Sequence, residues 1–140
     1  MSIEANKHVV REWVRRWNAG DADAVAALYH EDGFSWRISG ISPVSQKYSR
    51  DEIVEIIRAT FARPMQQPHN IEMRYLTAEE DRVSLEFIGR AVFADGTEFV
   101  NYYHTLFFIR DGKIAKGRAY LDTWVAAQSQ MKAPGTGEEA

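Results

Sequence analysis

Asn101-Tyr-Tyr-His-Thr-Leu-Phe-Phe-Ile-Arg-Asp-Gly-Lys-Ile-Ala-Lys-Gly-Arg-Ala-Tyr-Leu-Asp-Thr123 decides how this chain reads. It holds two β-rich runs joined through Asp111-Gly112, a short-turn signal between strands. Asp95-Gly96 separates it from an earlier run in which Val83, Leu85 and Phe87 alternate, and Ile71, Met73 and Tyr75 alternate before that. Everything from Ile71 to Leu121 therefore reads as strands arranged in a meander.

The region before the strands has a different period. Val10, Trp13, Val14 and Trp17 recur at helical spacing, with Lys7, Arg11, Glu12, Arg15 and Arg16 on the other faces. Asn18-Ala19-Gly20 ends that helix, and Asp21 is placed to cap a second one carrying Val25, Leu28 and Tyr29. Phe34, Trp36 and Ile38 alternate as a short strand, followed by a loop from Gly40 to Tyr48. Ser49-Arg50-Asp51-Glu52 has the spacing of a capping box ahead of Ile53, Ile56, Ile57 and Phe61, and Arg63-Pro64 stops this third helix. Helices first and an antiparallel sheet afterwards is an α+β order. A single domain is expected over residues 1–131, with the polar, turn-rich 132–140 as a flexible tail.

Composition narrows the function classes. The 140 residues are 45% hydrophobic and 26% charged, which suits one globular domain. Net charge is -3 and the Lys and Arg residues are scattered, so a nucleic-acid surface is not expected. The sequence has no cysteine, which excludes disulfides, thiol nucleophiles and thiolate metal sites. His30-Glu31-Asp32 lacks metal-ligand spacing, so no metal is expected. Neither a secretion signal nor a membrane span is legible at the N-terminus, and the cytoplasm is the expected compartment.

Several segments, taken in order, carry a family resemblance. They are Trp17-Asn18-Ala19-Gly20-Asp21, the stretch Asp32…Trp36…Pro43…Tyr48, Glu86…Gly89, Asn101…Tyr103-His104, and Ala119-Tyr120-Leu121-Asp122-Thr123. Together they resemble the SnoaL-like, ketosteroid isomerase-like branch of the nuclear transport factor 2-like superfamily. The resemblance implies a cone of three N-terminal helices packed on a curved antiparallel sheet, with small molecules held at its mouth. It spans isomerases, epoxide hydrolases, dehydratases, polyketide cyclases and non-catalytic binding domains, so fold does not settle function. Ala119 stands where catalytic relatives often carry an acid. The resemblance implies that limonene epoxide hydrolase-like members need an Arg and an Asp at the positions matched here by Glu86 and Ile88, so that epoxide-opening set is absent.

Strand parity selects the candidate site. A two-residue turn at Asp95-Gly96 places Arg90 opposite Asn101, Ile88 opposite Tyr103 and Glu86 opposite Thr105 on one mixed face. The other face, with Val83, Leu85, Phe87, Val100, Tyr102, His104, Leu106 and Phe108, is more apolar. A plain core argument turns it toward the helices. The alternative seats it on a second subunit, giving a homodimer, and leaves the mixed face to line a cavity. For the last hairpin, a two-residue turn sets Tyr103 opposite Tyr120. A bulge at Gly112 sets it opposite Ala119 and is preferred, because it turns Gly117, Ala119 and Leu121 inward and leaves Lys116 and Arg118 in water.

Glu86 is the expected catalytic proton shuttle, since desolvation in a cavity disfavours its ionised form. The bland alternative is a solvated or salt-bridged strand residue facing Arg90 or Arg118. Arg90, Asn101 and Tyr103 are expected to orient a ligand or stabilise an oxyanion, against a purely structural polar lattice. Trp17 and Trp36 are expected to stack on a flat ligand, although core packing accounts for most such aromatics. Whether Trp36 or Arg37 points inward stays open. His104 reads as structural, and His69 as a rim residue. The expected activity is acid–base isomerisation, dehydration or cyclisation of a small apolar carbonyl-bearing or polycyclic compound, without metal or organic cofactor. The rival is a non-catalytic binding or accessory protein, which Ala119 favours.

Overall fold

The computed structural model describes residues 2–131, so the expected tail at 132–140 lies outside the described residues. The chain runs α1 (Ile3–Asn18), α2 (Ala22–Ala26), β1 (Ser35–Ile38), β2 (Lys47–Tyr48), α3 (Arg50–Ala62), β3 (Met65–Glu79), β4 (Arg82–Phe93), β5 (Glu98–Arg110), β6 (Lys113–Leu121) and α4 (Thr123–Met131). The helices start where local chemistry satisfies their first backbone N–H groups. Ser2 accepts from Ala5 N at 3.0 Å, Asp21 accepts from Ala24 N at 3.0 Å, and Ser49 with Glu52 forms the complete capping box. Val9, Val10, Trp13 and Val14 form the buried stripe of α1. Asn18, at its end, clamps the edge strand by donating to Ile71 O at 3.0 Å and accepting from Ile71 N at 2.6 Å.

The sheet order is β2-β1-β6-β5-β4-β3. Neighbours are antiparallel except β1 and β6, which run parallel, with Trp36 beside Gly117 and Ile38 beside Ala119. The expected loop from Gly40 to Tyr48 therefore contains a short strand, β2, whose Tyr48 pairs with Trp36. β3 begins at Met65 rather than Ile71. Pro68 is tolerated there because β3 is an edge strand with register shifts between Met65 and Asn70. The terminal helix α4 has no counterpart in the sequence expectation.

Both hairpin registers differ from expectation. Phe93 N donates to Thr97 O and Gly96 N to Phe93 O, both at 2.9 Å, with Gly96 at φ 87°. The first turn thus has three residues, Ala94 to Gly96, not two. That slip of one residue pairs Phe87 with Tyr103, Glu86 with His104 and Gly89 with Asn101. A one-residue slip exchanges the faces of a strand. The second hairpin does turn through two residues, Asp111 (φ 55°) and Gly112 (φ 75°). An irregularity at Phe108/Ile109 then sets Tyr103 opposite Leu121 and Thr105 opposite Ala119. The partner of Tyr103 is neither of those expected, but the inward parity of Gly117 and Ala119 is as expected.

The inner face of the sheet packs on α1 and α3 through Val83, Leu85, Phe87, Phe107 and Ile114. Tyr29 is fully enclosed, and its hydroxyl accepts from Trp13 Nε1 at 3.1 Å. Leu85 and Phe87 therefore belong to the core rather than to an outer, partner-facing surface. Among the described residues, no helix is long and apolar enough to cross a membrane.

Candidate functional site

A cavity of about 440 Å³ opens between the inner face of the sheet and helices α1, α3 and α4. Its size falls within the range of small-molecule sites. The narrow end is built from aromatic rings. Trp13 stacks on Trp36 with centroids 6.1 Å apart, and Phe107 meets both edge-on at 5.1 and 5.8 Å. Trp36 takes this position because residue 117 is glycine: a Cβ there would collide with the indole ring. Trp17 leans on Trp13 at 5.6 Å and meets Phe61 edge-on at 5.1 Å. Ile53, Ile56 and Ile57 of α3 supply the opposite wall.

Along β5 the inner side chains step outward from Phe107 to Thr105, Tyr103, Asn101 and Phe99. Same-face neighbours on a strand lie roughly 7 Å apart. Thr105 sits between Leu85 and Ala119, neither of which offers a polar group, and its buried hydroxyl has no hydrogen-bond partner. Tyr103 stacks flat on Phe87 at 4.6 Å and 5°. Its ring crosses Gly89, where a Cβ would lie 2.9 Å from the ring edge. Burial pushes the Tyr103 hydroxyl well above its ordinary range, and the Asn101 side chain beside it offsets part of that shift.

Asn101 is itself turned to a structural task. Its Nδ2 donates to Asp122 O at 3.0 Å, while its Oδ1 accepts from Asp122 N at 3.2 Å and Tyr102 N at 2.9 Å. Asp122 Oδ1 then accepts from Trp124 N at 3.1 Å and Val125 N at 3.3 Å, which starts α4. Asn101 thus fixes the helix that carries Ala126 and Ser129 to the cavity mouth.

The mouth holds most of the polarity. The Arg63 guanidinium lies over the Phe93 ring, 3.8 Å from its centroid, and Nη1 donates to Ser129 O at 3.2 Å. His69 meets Phe99 edge-on at 5.3 Å. Burial, reinforced by the Arg63 charge, lowers its pKa to about 4, so the ring is neutral at pH 7. Among the described residues lining the cavity there is no carboxylate. Nor is there, among the described residues, a cluster of three groups able to hold a metal ion.

The structure brings together Trp17, Trp36 and Tyr103 at the cavity and sets Asn101 behind its wall. It does not bring Glu86 or Arg90 there. The slipped register turns both to the outer face, where Glu86 is exposed opposite His104 and Arg90 Nε pairs with Glu72 Oε1 at 3.4 Å. His104 contacts Ser84 on that same face. Of the pair left open in β1, Trp36 is buried and Arg37 exposed. Sequence reasoning missed Trp13 and Arg63 as lining residues, and it placed Thr105 on the cavity face without giving it a role. Arg63 was read only as the residue before a helix-stopping proline.

The architecture is that of the nuclear transport factor 2-like cone. Solved structures share it at low identity, and that likeness concerns the fold alone. PrhC from Penicillium brasilianum matches with a TM-score of 0.78 at 14% identity, over 92% of this chain and 87% of its own. The BvnE pinacolase from Penicillium brevicompactum matches with a TM-score of 0.77 at 14% identity, over 91% and 92%. An LEH-like epoxide hydrolase from M. tuberculosis matches with a TM-score of 0.71 at 15% identity, over 93% and 92%. No curated protein sequence matches at a significant level. The model of the SnoaL-like domain matches residues 10–117, and the chain belongs to that family.

Proposed function

We propose that this chain is a pocket protein for a small, flat, largely apolar molecule of the carbonyl-bearing or polycyclic kind. The observation that carries this reading is the cavity of about 440 Å³ walled by Trp13, Trp17, Trp36, Phe87 and Tyr103. Indole and phenol rings offer large flat contact areas, and Tyr103 with Thr105 adds hydroxyls able to meet a ligand oxygen. A second reading, acid–base isomerisation, dehydration or cyclisation, rests on His69, which lines the mouth in its neutral form. Its depressed pKa makes it a weak base, so binding ranks ahead of turnover. A cytoplasmic setting is part of the same proposal and accords with a cysteine-free sequence.

Calorimetric titration with 9-fluorenone and 2-acetylnaphthalene tests the pocket, and heat of binding to at least one is expected. Absence of binding by both removes the reading. Proton NMR in deuterium oxide then follows exchange at the methyl group of bound 2-acetylnaphthalene. Exchange that falls about a hundredfold in His69→Gln supports turnover. No exchange in the wild type leaves a binding protein.

A further inference from the structure

We infer that Arg63 makes the cavity a site for an organic carboxylate, held with its apolar body in the aromatic cone and its carboxylate at the mouth. This rests on the pocket reading above and narrows its ligand class. Arg63 lines the cavity and is partly buried, yet no carboxylate of the described residues forms an ion pair with it. Within the described structure its guanidinium makes one hydrogen bond, from Nη1 to Ser129 O. The edge formed by Nε and Nη2 makes none. Those two N–H groups point in parallel, the geometry that meets both oxygens of a carboxylate.

The surroundings favour that fork. The contact with the Phe93 ring and the bond to Ser129 O restrict the guanidinium, so less freedom is lost when an anion binds. His69, whose pKa burial and the Arg63 charge lower to about 4, is neutral at pH 7, which leaves Arg63 as the cationic group among the described lining residues. No acidic side chain among the described lining residues competes for the guanidinium. The rest of the lining is apolar apart from a few hydroxyl and amide groups, which suits a body without charge. The competing account makes Arg63 only a latch, its charge set against the C-terminal carbonyls of α4.

A matched pair of probes separates the accounts: naphthalene-2-carboxylate and 2-acetylnaphthalene, which have nearly the same shape. At pH 7 the wild type is expected to bind the carboxylate at least tenfold more tightly than the ketone, with that preference shrinking as salt is raised. Arg63→Gln is expected to abolish the preference, with an unchanged far-ultraviolet circular dichroism spectrum showing that the variant is folded. Arg63→Lys keeps the charge without the fork and is expected to retain part of the preference. Equal binding of the two probes by the wild type overturns the inference while the pocket reading survives. A lowered melting temperature in Arg63→Gln with the preference intact overturns it in favour of the latch. Failure of both probes to bind overturns the inference together with the reading beneath it.

Discussion

On the inner face of β4 and β5, Leu85, Phe87, Thr105 and Phe107 are shut away from water; one residue along each strand, Glu86, Arg90, Tyr102 and His104 lie at the surface. Backbone and hydrogen-bond ladder are common to both sets, so the difference comes from what each face meets. The inner face meets α1 and α3, whose stripes of Trp13, Val14, Ile53 and Ile57 offer no partner to a charge. The outer face has only solvent on the described chain, and there Glu72 pairs with Arg90 while Lys116 and Arg118 lie over Phe108. A carboxylate suits the second setting at little cost and would need a partner in the first. The position of Glu86 is thus a consequence of register, and register here is set by a turn of three residues.

The comparison breaks most sharply at Gly117. Its missing side chain lets Trp36 lie on the strand and close the narrow end of the cavity. Gly117→Val is expected to lower stability by about 3 kcal/mol, the scale of overpacking in a close-packed core, and to shift the tryptophan emission. Thermal unfolding followed by fluorescence checks this. An unchanged melting temperature would mean that the indole does not rest on that glycine.

A smaller effect separates the mouth from the outer face by pH. The folded His69 has a pKa of about 4, below the ordinary 6.5. Between those values the unfolded chain binds the proton and the folded chain does not. The stability tied to its neutral ring is therefore fully present above about pH 6.5 and is lost as pH falls toward 4. Replacing it by Phe, which keeps the contact with Phe99, is expected to remove roughly 2 kcal/mol of the acid-side loss. Urea midpoints measured for both proteins from pH 7 to pH 4 provide the test. Parallel profiles would show that His69 titrates as an exposed histidine.

Much of the fold was legible because its signals are local. The stripe of α1, the Asp21 cap and the Ser49–Glu52 box each depend on residues within a turn or two of one another, and each forms as read. α4 was illegible because Thr123–Met131 has no amphipathic stripe: Trp124 is exposed, Ala127 is buried, and the helix is started by Asp122 and held through Asn101. The site was legible on β5 and not on β4. Asp95-Gly96 is compatible with a turn of two or three residues, and nothing within either strand decides between them. Arg63 needed tertiary contacts, with Phe93 and Ser129, that lie 30 or more residues away in sequence.

The smallest expected effect concerns the outer face, and it sharpens the comparison by being small. Glu86 is exposed and makes no ion pair among the described residues, so Glu86→Gln should change stability by no more than about 0.5 kcal/mol. Affinity for 9-fluorenone should be the same within error, because the side chain points away from the cavity. A clear loss of affinity would restore the two-residue turn, and with it a cavity lined by Glu86. The same face carries Tyr102 at 59% and Tyr120 at 47% exposure, with Leu106 and Phe108 partly buried further along β5. We expect two copies to associate through this surface, since aromatic side chains flanked by both signs of charge can meet their own image across a two-fold axis. Light scattering should then give the mass of a dimer for the wild type and for Glu86→Gln, and the mass of a monomer for Tyr102→Glu, which replaces an exposed aromatic of this face by a charge. A wild-type monomer at high micromolar concentration would leave the outer face to water, and the contrast between the two faces would then rest on the helices alone.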